Sequence, residues 1–365
     1  SGLKPGFRPG VRDLVTSPFH VVSWMLASIT SSLSSLGGSI SEQVRNRIYI
    51  SGGSLEREAQ QRLAQNSDAL LRSGHEGFNA GVSHDLVASV PGVLEVWGHL
   101  GSGSFGDVWE CQFEGRSGLM AVKVFRSQHH GDPFKELHLH AGLQHPNLVQ
   151  LLEAIEGPPS AMLMELCSGG TLAGLIHRFP HKGAFCDIDV CVRLRVVLDV
   201  VACIEYLHGN NVVHRDVKSS NCLLSSAYEP QVARIPLVKL SDLGLARYAA
   251  QEMSKRVGTL LYMAPELMEG EDYSFPVDIY SCAMLMYELY TGVVPFSTSD
   301  ERLQNDVAFV LSVSMGERPR VDHLPTDATA VEVCNIIQAS WDAEPANRPT
   351  AARLAERLRS VPGVA

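Results

Sequence analysis

No C-x-x-C pair occurs among the eight cysteines, which stand at 111, 167, 186, 191, 203, 222, 282 and 334. That excludes the zinc ribbon and the dithiol redox motif, and leaves isolated buried thiols in a reducing compartment. Basic charge is also short: 30 Lys and Arg stand against 40 Asp and Glu, a formal net charge of −10. A dedicated nucleic-acid binder shows a basic patch or surplus, so no nucleic-acid partner is expected. The apolar stretch 19–29 falls short of the roughly 20 residues a spanning helix needs, so no transmembrane span is expected. No internal repeat is visible. His129, His130, His138 and His208 lack cysteines or carboxylates at ligand spacing, and no zinc site is assigned.

What remains is a 365-residue chain, 45% hydrophobic and 19% charged, long enough for one large domain or two modest ones. Its first 90 residues differ from the rest. Lys4, Arg8 and Arg12 precede "FHVVSWMLASI" and the Ser-rich "TSSLSSLGGS". A positive start, a short apolar run and small residues are also the pattern of a targeting segment, the alternative to a plainly cytoplasmic protein. In "SLEREAQQRLAQNSDALLRS", Leu55, Ala59, Leu63 and Leu70 recur near helical spacing behind Ser54, a fitting N-cap. A short amphipathic helix that binds a partner or self-associates is expected there. The Gly- and Ser-containing "RSGHEGFNAGVSH" after it has the composition of a linker.

From residue 95 the pattern becomes strand-like. "EVWGHLGSGSFGDVWECQF" sets Gly101, Gly103 and Gly106 between two alternating runs, with Ser102, Ser104 and Phe105 filling the loop. Glycines let backbone N–H groups approach phosphate oxygens with no Cβ in the way. A dinucleotide-binding turn needs a helix directly after its glycines. Here "DVWECQF" alternates as a strand and runs through "EGRSG" into a second strand, "LMAVKVF". The loop therefore sits on a β-hairpin. Lys123, in the second strand, is either an edge lysine facing solvent or an ammonium that has found an anion. Glu136, in the helical pattern of "DPFKELHLHAGLQHPNLVQLLEAI", is the best partner for it. Asp242, in "KLSDLGLARY", follows an apolar run and precedes a glycine, where a carboxylate either holds a cation or caps a turn.

With "VVHRDVKSSNCLL", residues 212–224, the resemblance becomes specific. The glycine loop, "AVK", "HRDVKSSN", "DLG" and "APE" occur in the order and at the spacings of eukaryotic-type protein kinases, serine/threonine class. "VDIYSCAMLMYEL" and "SWDAEPANRPT" resemble that family's C-terminal signatures, and the tryptophan and "RPT" lean toward its tyrosine-kinase-like branch. The resemblance covers residues 95–358 and leaves out 1–90.

The resemblance implies an α+β, bilobal fold. A strand-rich N-lobe with one main helix would span 91–163, a hinge 164–168 and a mostly helical C-lobe 169–360, with 1–90 as an extension. It implies ATP and Mg²⁺ as cofactors and serine or threonine hydroxyls of protein substrates as acceptors. Asp216 would orient the hydroxyl and take its proton, Lys218 would steady the transferring phosphate, and Lys123, held by Glu136, would contact the α- and β-phosphates. Asn221 and Asp242 would hold Mg²⁺. Adenine would lie between Val108 and Ala121 above and Leu223 below, with Met164 at the back and Glu165 to Cys167 forming the hinge through backbone groups. The alternative is a pseudokinase scaffold, distinguished by loss of a catalytic group; Lys123, Glu136, Asp216, Asn221 and Asp242 are all present.

Some details depart from the family pattern. Leu243 stands where Phe is usual and still offers an apolar plug. His140 stands at a usually aliphatic position, and a core histidine with a local hydrogen bond is expected rather than a pH sensor. "SSAYEPQVARIPLV", residues 225–238, is longer than the family's hairpin, and Pro230 and Pro236 argue for a surface insertion. Glu266 and Arg348 are expected to form a structural ion pair. Ser254, beside Lys255 and Arg256, is the expected activating phosphorylation site, with Arg215 as the phosphate's partner; Thr259 is expected near Asp216 and Lys218.

Overall fold

The computed structural model describes residues 82–102, 106–126, 140–178, 188, 190–229, 236–243, 260–269, 273–296, 306–321 and 328–361. The amphipathic helix expected in 54–73, Gly103 to Phe105, Glu136, Ser254 and Thr259 lie outside them. The chain divides into two compact units, Ser1–Ser83 and His84–Ala365, and every element below belongs to the second.

Five antiparallel strands form the N-terminal sheet: β1 (Val93–Ser102), β2 (Gly106–Phe113), β3 (Leu119–Phe125), β4 (Leu151–Ile155) and β5 (Ala161–Glu165), in the order β1-β2-β3-β5-β4. The alternation that marked these runs as strands also sets their faces. β2 and β3 pair Val108 with Lys123 and Trp109 with Val122; β3 and β5 pair Ala121 with Met164. Val122 and Val124 are fully buried, and Phe125, Met162, Leu151 and Met164 pack together. A short helix, α1 (His84–Ala88), packs with β1, its Val87 fully buried.

The second half is helical. α2 (Leu172–Arg178) follows the hinge, and α3 (Val190–Gly209) leads to the loop of Asp216. After it come α4 (Pro265–Met268), α5 (Pro276–Thr291), α6 (Asp306–Ser314), α7 (Ala328–Ser340) and α8 (Ala351–Arg359). α5 is apolar around its circumference, and 15 of its 16 residues are buried, so it forms the centre of this half. Gly292 ends it in the left-handed conformation, its N–H donating to Glu288 O at 2.7 Å. Among the described residues, no helix is long and apolar enough to cross a membrane.

A two-stranded ribbon, β6 (Cys222–Leu224) and β7 (Val238–Leu240), flanks the inserted segment, and Ser225 N donates to Leu237 O at 2.9 Å before the chain leaves the ladder. Extended pairing thus stops before Pro236, which has no N–H to give. The ribbon also ties the two halves: Val149 N donates to Leu240 O at 2.9 Å and Leu240 N to Asn147 O at 2.8 Å.

Candidate active site

The site is assembled from loop ends supported by these elements. β3 delivers Lys123, whose side chain is 4% exposed, and its Nζ lies 2.7 Å from Asp242 Oδ1, two residues past β7. A lysine in an apolar strand is expensive without an anion, and this contact resolves the choice left open for it. Its partner here is Asp242. The expected partner, Glu136, lies outside the described residues. Asp242 adopts a left-handed φ of 59°, a strained setting for a residue with a Cβ and one found most often at functional sites. The Lys123 ammonium holds the Asp242 carboxyl below its ordinary range, against the opposing effect of burial, with Lys218 and His214 adding to the shift.

Asp216 is held from two sides. Lys218 Nζ donates to both carboxylate oxygens, at 2.9 and 2.7 Å. Asn221 Nδ2 donates to the Asp216 carbonyl and to Oδ2, both at 2.8 Å. That commits the Asn221 amide nitrogen to the loop and leaves its Oδ1 as the atom to offer a cation. Ser241 donates through both its N and its Oγ to the Asn221 carbonyl at 2.9 Å, so the two loops are stitched together at Asn221 itself and one residue before Asp242. An amide oxygen and a carboxylate held ionised are hard oxygen donors that suit Mg²⁺.

One residue that sequence reasoning missed organises this loop. Asp278, in the first turn of α5, is fully buried; its Oδ1 accepts from Arg215 N at 2.7 Å, and its Oδ2 from His214 N at 2.8 Å and His208 Nε2 at 2.9 Å. The strained Arg215, with φ of 69°, is thereby held in place next to Asp216. His214 in turn donates from Nε2 to Ser241 O at 2.9 Å. The available signal was an acid near the start of the mostly apolar "VDIYSCAMLMYEL", which needs buried partners.

The remaining predicted residues fall as follows. Val108 and Lys123 are register neighbours, as are Ala121 and Met164, so these four occupy adjacent strands. Gly169 N donates to Leu224 O at 3.0 Å and Leu224 N to Gly170 O at 2.9 Å, which seats Leu223 against the segment leaving the hinge. The Glu165 carboxylate accepts from Lys239 Nζ at 2.8 Å and Gln150 N at 2.7 Å, so its side chain is engaged, and its own N–H donates to Gln150 O at 3.1 Å. Burial pushes the Cys167 thiol up to about 11, as it does Cys111, which keeps both as thiols. Ser102 ends β1. A Cβ on Gly101 would meet open space, whereas one on Gly106 would lie 2.2 Å from Val124 O. Gly106 is therefore required by strand packing, whatever the loop binds. Leu243 is fully buried, as a plug must be.

Arg348 grips Glu266 with two parallel bonds, Nη1–Oε1 at 2.6 Å and Nη2–Oε2 at 2.9 Å, both residues buried. Arg215 lies over the Tyr273 ring at 4.5 Å.

His140 is 3% exposed and donates from Nε2 to Val149 O at 2.7 Å, while its Nδ1 is buried with no partner among the described residues. Burial, chiefly, holds its pKa below the ordinary 6.5. The unfolded chain therefore takes up this proton more readily, so the site's contribution to stability is whole above 6.5 and is lost as pH falls toward the folded value. His140→Leu should flatten the fall of Tm between about pH 7 and pH 5.5, where this linkage operates. Parallel curves for variant and wild type would show that the ring does not titrate with unfolding.

The protein kinase domain model matches residues 94–358. The chain belongs to the protein kinase family. A probable serine/threonine-protein kinase of Dictyostelium discoideum is 30% identical over 277 residues, 74% of this chain and 28% of that protein. A protein kinase and PP2C-like domain-containing protein of Arabidopsis thaliana is 30% identical over 291 residues, 72% of this chain and 42% of that protein. A serine/threonine-protein kinase of the same plant is 30% identical over 277 residues, covering 73% and 31% respectively. The kinase chain spans less than half the length of each of these relatives. Its sheet of five antiparallel strands and its helical half are the mixed α and β architecture expected of the family.

Proposed function

We propose that this kinase transfers the γ-phosphate of ATP, with Mg²⁺, to serine and threonine hydroxyls of protein substrates, as a member of the tyrosine-kinase-like branch. The observation that carries the reading is the contact of Lys218 Nζ with both oxygens of Asp216. A lysine two residues past the acid puts a cation where a short hydroxyl and the transferring phosphate must meet. Asp216 orients the hydroxyl and accepts its proton. Lys218 then stays on the phosphate side, neutralising charge that develops in transfer. Asn221 and Asp242 would hold the metal through their oxygens, and Lys123 would contact the phosphates. A metal held there would supply charge neutralisation for the transferring group. Val108, Ala121, Met164 and Leu223 supply the apolar surface for the base, and the backbone of Glu165 to Cys167 its hydrogen bonds. The buried free thiols of Cys111, Cys203, Cys222 and Cys282 fit a reducing compartment, and we place the protein in the cytoplasm.

Purified protein incubated with labelled ATP, Mg²⁺ and generic protein substrates should yield phosphoserine and phosphothreonine on acid hydrolysis, with phosphotyrosine a minor product. Mainly phosphotyrosine would overturn the acceptor assignment, and absence of any incorporation would overturn the enzyme reading.

A further inference from the structure

We infer that Asp107, on the sheet face opposite Lys123, is a positioning residue for nucleotide binding. It acts by tying the outgoing arm of the glycine loop to the end of the lysine strand. The inference rests on the kinase reading above.

Asp107 follows Gly106, the last glycine of the loop. Its register neighbours are Ser102 on β1, where the loop begins, and Val124 on β3; the next residue, Val108, is opposite Lys123. Side chains alternate along a strand, so Asp107 and Lys123 point to different faces. Asp107 therefore has no route to the nucleotide, yet only 1% of it is exposed. Its Oδ1 accepts from Arg126 Nη2 at 2.7 Å. His99 Nε2 lies 4.0 Å from the same oxygen and 3.2 Å from Ser102 Oγ. The polar string Ser102–His99–Asp107–Arg126 thus runs from the incoming arm of the loop to the outgoing arm and on to the residue three past Lys123.

A buried carboxylate is a poor source of net stability, because its desolvation offsets most of what its partner returns. Register is the better-attested use of such a pair. Here register needs help. The β1–β2 ladder is interrupted between Val93 and Glu95, between Val96 and Gly98, and between His99 and Gly101, the last directly before the loop. Each interruption bends and twists the hairpin, the last of them next to the start of the loop. By contrast, β2 and β3 pair without a break from Gly106 to Gln112, with Gly106 packed against the Val124 carbonyl. A charged hydrogen bond at that junction fixes where the outgoing arm of the loop leaves the sheet, one residue before the Val108–Lys123 pair. Loss of the pair should weaken nucleotide binding equally in the ground and transition states, which raises KM and spares kcat.

The test uses the full chain and four proteins: wild type, Asp107→Asn, Arg126→Gln and the double variant. Wild type must bind Mg·ATP in calorimetry; if it does not, the kinase reading itself fails. Given that binding, Asp107→Asn should raise KM for ATP about tenfold, with kcat and the protein-substrate KM within about twofold. Arg126→Gln should do the same, and the double variant should be no worse than either single, since both remove one interaction. The double variant strands no buried charge, so it keeps the inference testable where either single variant proves unstable. An unchanged KM for ATP in a folded variant overturns the inference. So does a loss in kcat that follows the unfolded fraction while KM holds, since that is a structural effect alone.

Discussion

Asp242→Asn should lower kcat at least a hundredfold while the protein stays folded, because an amide offers Mg²⁺ no negative charge. The structure adds a cost, since Lys123 is almost buried and loses its anion at 2.7 Å. With 36% of the Asp242 side chain exposed, solvent screens the pair, and about 1 kcal/mol or less is expected, a Tm lower by roughly 2–4 °C. That contribution also has a sign in pH. The Asp242 carboxyl is depressed in the folded state, so its stabilisation is present above the ordinary 3.8 and is lost as pH falls below it. Wild type and variant should therefore converge in stability on acidification. Turnover above about a tenth of wild type, roughly 1.4 kcal/mol of barrier, would remove Asp242 from the metal-holding role.

Asp278→Asn should damage both stability and turnover, although Asp278 touches no substrate. The amide keeps the shape but provides one acceptor oxygen in place of two, and it turns an NH₂ toward a donor. Two backbone N–H groups and the His208 ring compete for what remains. A loss of about 3 kcal/mol is expected, a fall in Tm of roughly 6–12 °C. Relaxation of Arg215 then displaces Asp216, and a misplacement near 1 Å lowers kcat about a hundredfold. Circular dichroism melts and initial rates, taken well below the variant's Tm, separate the two effects. Wild-type kcat in the folded variant would show that the loop keeps its geometry without this anchor.

The sequence by itself determined the family and the broad architecture. Alternation in "DVWECQF" and "LMAVKVF" marked β2 and β3, because a strand's period survives wherever one face is buried. Gly101, Asp216, Asn221 and Asp242 stand out in the sequence because the proposed phosphate, proton and metal chemistry would restrict residue type and spacing. Cα register, partner choice and burial were decided only by tertiary structure. The contact of Lys123 with Asp242, 119 positions along the chain, has no signature in the sequence. Gly106 looked like a phosphate glycine, and the atom that forbids a Cβ there is the carbonyl of Val124. Asp278 lies in a mostly apolar helix, and only the fold brings two loop N–H groups to it. In each case the deciding term is electrostatic or steric at contact distance. A periodic pattern carries which face a residue takes, but not which distant group meets it there.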